Sequence, residues 1–123
     1  MLRESGEHYL ETILLLHNKQ GEVRSIDIAR ELSYSKASVS RAMGILREKG
    51  YIEMGQHGAI ILTDSGKERA EGIYERHRYL TRFFQQTLDI PKEQAESDAC
   101  RIEHIISNET FSKIRQWVTN HKE

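Results

Sequence analysis

The chain has 123 residues, 37% hydrophobic and 30% charged, with a formal net charge of −1. That length suits one ordinary domain or two small units sharing a core, and that charge carries no overall basic signal for nucleic acid. No run approaches the roughly 18 apolar residues of a membrane span, Met1-Leu2-Arg3-Glu4 leads into charged sequence rather than a signal peptide, and a single Cys rules out an internal disulfide framework and fits a reducing cytoplasm.

The charge balance stays flat when the chain is divided. Up to Asp64 there are 8 Lys or Arg against 9 Asp or Glu, and beyond it 10 against 10, so any case for DNA is local.

Residues 4–19 predict a first helix, with Leu10, Ile13, Leu14 and His17 recurring at helical spacing and Gly21 as a stop. His8 and Glu11 lie three apart on a flanking face that Leu15 continues. They read either as a solvated edge or as a pair of metal-ligand chemistries. A short helix follows from Ser25, read as an N-cap with Asp27 in the positive first turn, to about Ser33-Tyr34. A second starts at Ser35, turns Val39, Met43 and Leu46 inward, and stops at Gly50.

Two short helices joined by a tight turn form the helix-turn-helix pattern, with Ser33 where glycine is common. Ser35, Lys36, Ala37, Ser38, Ser40, Arg41 and Arg47 of the second helix, with Ser25 ahead of it, are the expected DNA-contacting residues. Small side chains permit close approach, and the cations suit phosphates and guanine edges. From Lys36 to Lys49 there are four cations and one acid, Glu48, a local patch that the overall balance hides. The runs Tyr51–Met54 and Ala59–Leu62 predict a hairpin, the wing of a winged helix, with Gln56 and His57 at its tip.

A long helix then opens near Thr63-Asp64-Ser65, capped by Ser65 with Glu68 or by Thr63. Gly66, Ala70, Ile73, His77, Leu80 and Phe84 form its seam. Asp89-Ile90-Pro91 marks a turn, with Pro91 suited to the first position of a helix expected to run to about Ser107. Ala95, Ala99, Ile102 and Ile106 carry its core stripe, and Cys100, Glu103 and His104 lie at i, i+3 and i+4 beside it. A last helix, capped by Asn108, presents Phe111, Ile114, Trp117 and Val118, and the tail His121-Lys122-Glu123 is expected to fray. The expected fold is mainly α: a winged helix-turn-helix with a two-stranded wing over residues 1–64, then a helical part over residues 65–123.

Three helices thus offer thiolate, carboxylate and imidazole donors: His8 and Glu11, His77, and Cys100, Glu103 and His104. Glu7-His8-Tyr9-Leu10-Glu11, Ser35–Arg41, Leu62–Lys67, Arg76-His77 and Ile102-Glu103-His104 together resemble the diphtheria toxin repressor and manganese transport regulator family. The resemblance covers essentially the whole chain. It implies a homodimeric, metal-activated transcriptional repressor, not an enzyme, that binds a near-palindromic double-stranded operator and controls metal-uptake genes. No membrane and no organic cofactor are expected to take part. Some members add a C-terminal SH3-like domain for which no residues remain, so the chain resembles the short form.

By the same resemblance, Glu11, His77, Glu103 and His104 match family metal ligands. His8 stands where manganese-type members have aspartate, and Cys100 where they have glutamate. Iron-type members carry a cysteine at the position of Cys100 and a methionine at that of His8. Exchanging two hard carboxylates for imidazole and thiolate shifts the expectation to Fe²⁺, with Zn²⁺ and Mn²⁺ as alternatives. A winged-helix regulator sensing an organic ligand would instead treat His77 and Cys100 as core residues. A metalloenzyme would leave the cationic helix unexplained.

Overall fold

The computed structural model describes residues 4–121. In chain order they form α1 (Glu4–Gln20), α2 (Ser25–Leu32), α3 (Lys36–Glu48), β1 (Ile52–Met54), β2 (Ile60–Leu62), α4 (Asp64–Leu88), α5 (Lys92–Ile102) and α6 (Asn108–Asn120). The expected mainly helical chain with a two-stranded wing is what forms. It divides into two units, one ending at Glu71 and the other beginning at Gly72, so the division falls within α4.

In the first unit α1 turns Leu10, Ile13 and Leu14 inward as expected. Leu16 is buried as well, whereas His17 is exposed, its Nδ1 3.0 Å from the Gly21 carbonyl. The last turn of α1 carries Lys19, a cation that complements the negative end of the helix dipole. α2 is capped at Arg24 and not at Ser25, which is its first residue. Ile60 N–H donates to the Val23 carbonyl at 2.7 Å, holding the chain extended just before Arg24. Asp27 then reaches back to accept from the Arg24 N–H at 2.9 Å. The turn into α3 needs a left-handed residue, and Ser33 supplies it at φ 58° and ψ 39°, the role glycine often fills.

Ser35 caps α3, its Oγ accepting from Ser38 N–H at 3.1 Å. Val39, Met43 and Leu46 are buried, each such side chain contributing about 1.5–3 kcal/mol. β1 and β2 pair antiparallel, Ile52 opposite Leu62 and Met54 opposite Ile60. A 3-10 turn, Gln56–Gly58, joins them, with His57 at φ 58°.

Thr63, not Ser65, caps α4. Its hydroxyl accepts from Gly66 N–H at 3.1 Å and donates to the Gly50 carbonyl at 2.7 Å. This draws the first turn of α4 onto the chain at Tyr51, where a Cβ on Gly66 would lie 2.0 Å from the Tyr51 carbonyl oxygen. Gly66→Ala should therefore cost about 1–3 kcal/mol, as overpacking does, read as a lower midpoint in urea denaturation.

The second unit packs around Leu80, Ala99 and Phe111, flanked by Tyr79, Phe84, Ile102, Ile106 and Ile114. Ala95 and Ala99 are fully buried, small where α5 meets its neighbours. Pro91 occupies the cap position at φ −60° and ψ 152°, so α5 begins one residue later than expected, at Lys92. It also ends earlier than expected, at Ile102 and not near Ser107. Ile105 and Ile106 N–H both turn back to the Ile102 carbonyl, at 2.9 and 3.0 Å. The chain must leave α5 there because Ser107 is extended (φ −68°, ψ 155°) and caps α6, its Oγ accepting from Thr110 N–H at 3.1 Å. Asn108, the expected cap, is instead the first residue of α6, and its side-chain oxygen accepts from Arg76. His121 stacks on Trp117 at 4.0 Å and so is ordered against the indole, while Lys122 and Glu123 of the expected frayed tail lie outside the described residues. Among the described residues no helix is long and apolar enough to cross a membrane.

Candidate metal centre and nucleic-acid face

In the second unit, His77 from α4 meets the turn that closes α5. Its Nδ1 lies 2.8 Å from Glu103 Oε1, and its Nε2 lies 3.8 Å from Glu96 Oε2. A carboxylate beside one ring nitrogen is the arrangement that orients a metal-binding imidazole. His104 follows directly, its Nε2 3.4 Å from Glu103 Oε2. Glu103 is fully buried, at 0% exposure.

Glu103 Oε2 has no hydrogen-bond partner among the described residues. A buried carboxylate oxygen without a hydrogen bond is costly. The neighbouring guanidinium, Arg76, directs its hydrogen bonds to the Glu103 and Ile106 carbonyls and to Asn108, not to the Glu103 carboxylate. An acidic, imidazole-flanked cluster of this kind fits a divalent transition-metal ion by donor chemistry. Cys100 is half-buried one helical turn before Glu103, and Glu103 N–H still bonds to the Ala99 carbonyl at 2.8 Å, so their helical spacing survives the end of α5. His104 lies beyond the helix proper, in the turn.

In the first unit, Glu11 is buried and His8 half-buried, one turn apart on α1. Glu7 beside them is buried and held by Arg69, whose Nε and Nη2 donate to Glu7 Oε2 at 3.0 and 2.8 Å. That pair anchors the start of α1 to the first turns of α4. Sequence reasoning missed Glu96 and the role of Arg76. Glu96 could have been found, since Glu96, Cys100 and Glu103 follow the helical steps of four and three.

The expected DNA-facing residues lie in the first unit. Lys36, Ala37, Ser38, Ser40, Arg41 and Arg47 are all exposed on α3, with Ala37, Ser38 and Arg41 opposite the buried Val39, Met43 and Leu46 and the others at the flank. Ser35 is exposed too, but its hydroxyl also donates to Ser38 Oγ at 2.9 Å, so both hydroxyls take part in the cap. Ser25 is half-buried at the start of α2, and Gln56 and His57 are exposed at the tip of the wing. Small side chains and long cations on one face of a helix followed by a hairpin form a surface suited to a major groove.

The chain is similar to known proteins over both units. The N-terminal DNA binding domain of the iron dependent repressors matches residues 1–60, and their metal binding and dimerisation domain matches residues 63–123. The transcriptional regulator MntR of Escherichia coli O6:H1 is 33% identical over 119 residues, 97% of this chain and 76% of that protein. A helix-turn-helix type transcriptional regulator of Methanocaldococcus jannaschii is 25% identical over 123 residues, 99% of this chain and 98% of that one. Among solved structures, a manganese-dependent transcriptional repressor in complex with manganese has a TM-score of 0.85 at 27% identity, covering 93% of this chain and 52% of that one. T. acidophilum IdeR has a TM-score of 0.82 at 26% identity, covering 92% and 53%. The chain thus spans about half the length of those two solved chains.

Proposed function

The chain belongs to the iron-dependent repressor family, and from that premise we propose that it is a metal-activated, homodimeric repressor of metal-uptake genes. The observation that carries the reading is Glu103, a fully buried carboxylate with an imidazole beside each oxygen, His77 at 2.8 Å and His104 at 3.4 Å. It lies in the part of the chain that matches a metal binding and dimerisation domain.

His77, Cys100, Glu103 and His104 are the proposed ligands from the second unit, and His8 and Glu11 those from α1. A divalent ion held by either set would supply positive charge that offsets the carboxylate there, Glu11 or Glu103, and would accept lone pairs from the donors. The chain's own part follows from what each element carries. α1 packs with α2 and α3, so ligation at Glu11 and His8 is felt by the helix that meets DNA. Two such helices in a dimer must sit about 34 Å apart, or a multiple, to enter successive major grooves. Metal ligation that favours this spacing would raise the binding-competent fraction.

The proposed ion is Fe²⁺. Thiolate and imidazole at Cys100 and His8 favour a softer centre than an all-carboxylate set. The regulators MntR and a manganese-dependent repressor among its relatives make Mn²⁺ the main rival, with Zn²⁺ next on ligand chemistry.

The test is an anaerobic titration of an operator, selected from random DNA in the presence of metal, with chelated protein and with Fe²⁺, Mn²⁺ or Zn²⁺. At least one metal should tighten binding by ten-fold or more, about 1.4 kcal/mol, with Fe²⁺ effective at the lowest free concentration. Equal affinity in every arm, chelator included, would leave a winged-helix regulator that responds to something else.

A further inference from the structure

The turn that carries Glu103 and His104 has no helix to hold it. α5 ends at Ile102, and the carbonyls of Glu103 and Ile106 fall between α5 and α6. Backbone acceptors at a helix end need partners from elsewhere. Arg76 provides them: its Nη1 donates to the Glu103 carbonyl at 3.0 Å and to the Ile106 carbonyl at 2.9 Å, and its Nη2 donates to the Asn108 side chain at the start of α6. The guanidinium also lies 5.4 Å from the centre of the Phe111 ring, so the unit's core supports the clamp. Arg76 is the residue before His77 on α4. One turn of helix therefore carries both the imidazole that meets the Glu103 side chain at 2.8 Å and the guanidinium that holds the Glu103 backbone.

We propose that Arg76 is a positioning residue for metal binding: by fixing the backbone of the Glu103–Asn108 turn it presets the direction of the Glu103 carboxylate and the His104 imidazole. The inference rests on the metal reading given above. A lysine cannot replace this fork, because one ammonium does not reach three acceptors in a fixed plane. Groups that orient metal ligands without touching the metal typically govern affinity by about 10–100-fold.

The test is Co²⁺ alone, added anaerobically to the full chain and followed by its visible absorption, for the wild type, Arg76→Ala, Arg76→Lys and Arg115→Ala. Arg115 lies over the same Phe111 ring and pairs with Glu75, but it has no hydrogen bond to the turn, so it reports the cost of merely loosening α6. Arg76→Ala should bind Co²⁺ about ten-fold or more weakly with an altered spectrum, Arg76→Lys should fall between it and the wild type, and Arg115→Ala should match the wild type even where its apo melting temperature drops. Wild-type affinity and spectrum in folded Arg76→Ala would overturn the positioning role alone. No Co²⁺ binding by the wild type would overturn the metal reading itself. If Arg76→Ala does not fold, Arg76→Lys decides: a three-fold or larger loss supports the role, and unchanged affinity overturns it.

Discussion

Exchanging Glu103→Gln together with His104→Ala abolishes the metal response while leaving the protein folded. The largest single effect is expected here because Glu103 is the buried hub of the cluster, within 2.8 Å of His77 and 3.4 Å of His104. Gln keeps the shape of Glu and removes its charge. Loss of two proposed ligands should weaken metal binding by more than about 100-fold, beyond the range typical of groups that only orient ligands. Folding should not suffer in proportion. Gln at position 103 keeps an oxygen within reach of His77 Nδ1, so the apo fold is expected to survive the loss of charge. Thermal melts with and without Mn²⁺ or Co²⁺ separate the two effects. The wild type should gain stability with metal by mass action, and the double variant should melt as high as the apo wild type with no gain. A full metal-induced rise in the double variant would remove Glu103 and His104 from the ligand set.

The second large effect is expected at Arg41. It is exposed on α3, two residues past buried Val39, on the face that carries Ala37 and Ser38. An Arg reading a guanine edge is worth about 1–3 kcal/mol of discrimination against the wrong base. Arg41→Ala should therefore weaken operator binding by about 5–150-fold and relax sequence preference at one position of each half-site, with metal affinity in the absence of DNA unchanged. Lys36→Ala is the informative contrast. If Lys36 only meets phosphate, its loss weakens all sequences alike and lowers the salt slope by about one. Competition binding against single-base operator variants at two salt concentrations distinguishes the two. An Arg41→Ala protein with wild-type affinity and preference would take α3 off the DNA.

What was legible in the sequence was whatever local pattern decides. The inward Val39, Met43 and Leu46, the cations opposite them, and the two apolar runs around Gly55–Gly58 each need only neighbours along the chain. Helix ends were less legible, because distant groups decide them. Ser25 is a good cap by composition, yet Val23 is drawn to Ile60 and Asp27 reaches back to Arg24, so the helix starts one residue earlier than a Ser25 cap would set it: Ser25 is its first residue and Arg24 its cap. The end of α5 was misplaced for the same reason. Ser107 caps the next helix, and Arg76 takes carbonyls 27 and 30 residues away that would otherwise favour another helical turn. No spacing rule in the sequence points from Arg76 to those acceptors, because they are main-chain atoms and carry no residue signature. His77, Glu103 and His104 were legible as donors because their chemistry is written in the side chain. That His77 sits between Glu103 and Glu96 required the fold.

One free energy is expected to link the metal and the operator. Linkage requires that if metal tightens operator binding by some factor, operator tightens metal binding by the same factor. The direct measurement is the full cycle: operator affinity with chelator and with saturating metal, and metal affinity with and without saturating operator, in one buffer. The account predicts two equal factors of ten or more. Metal that binds tightly with an affinity indifferent to operator would contradict it.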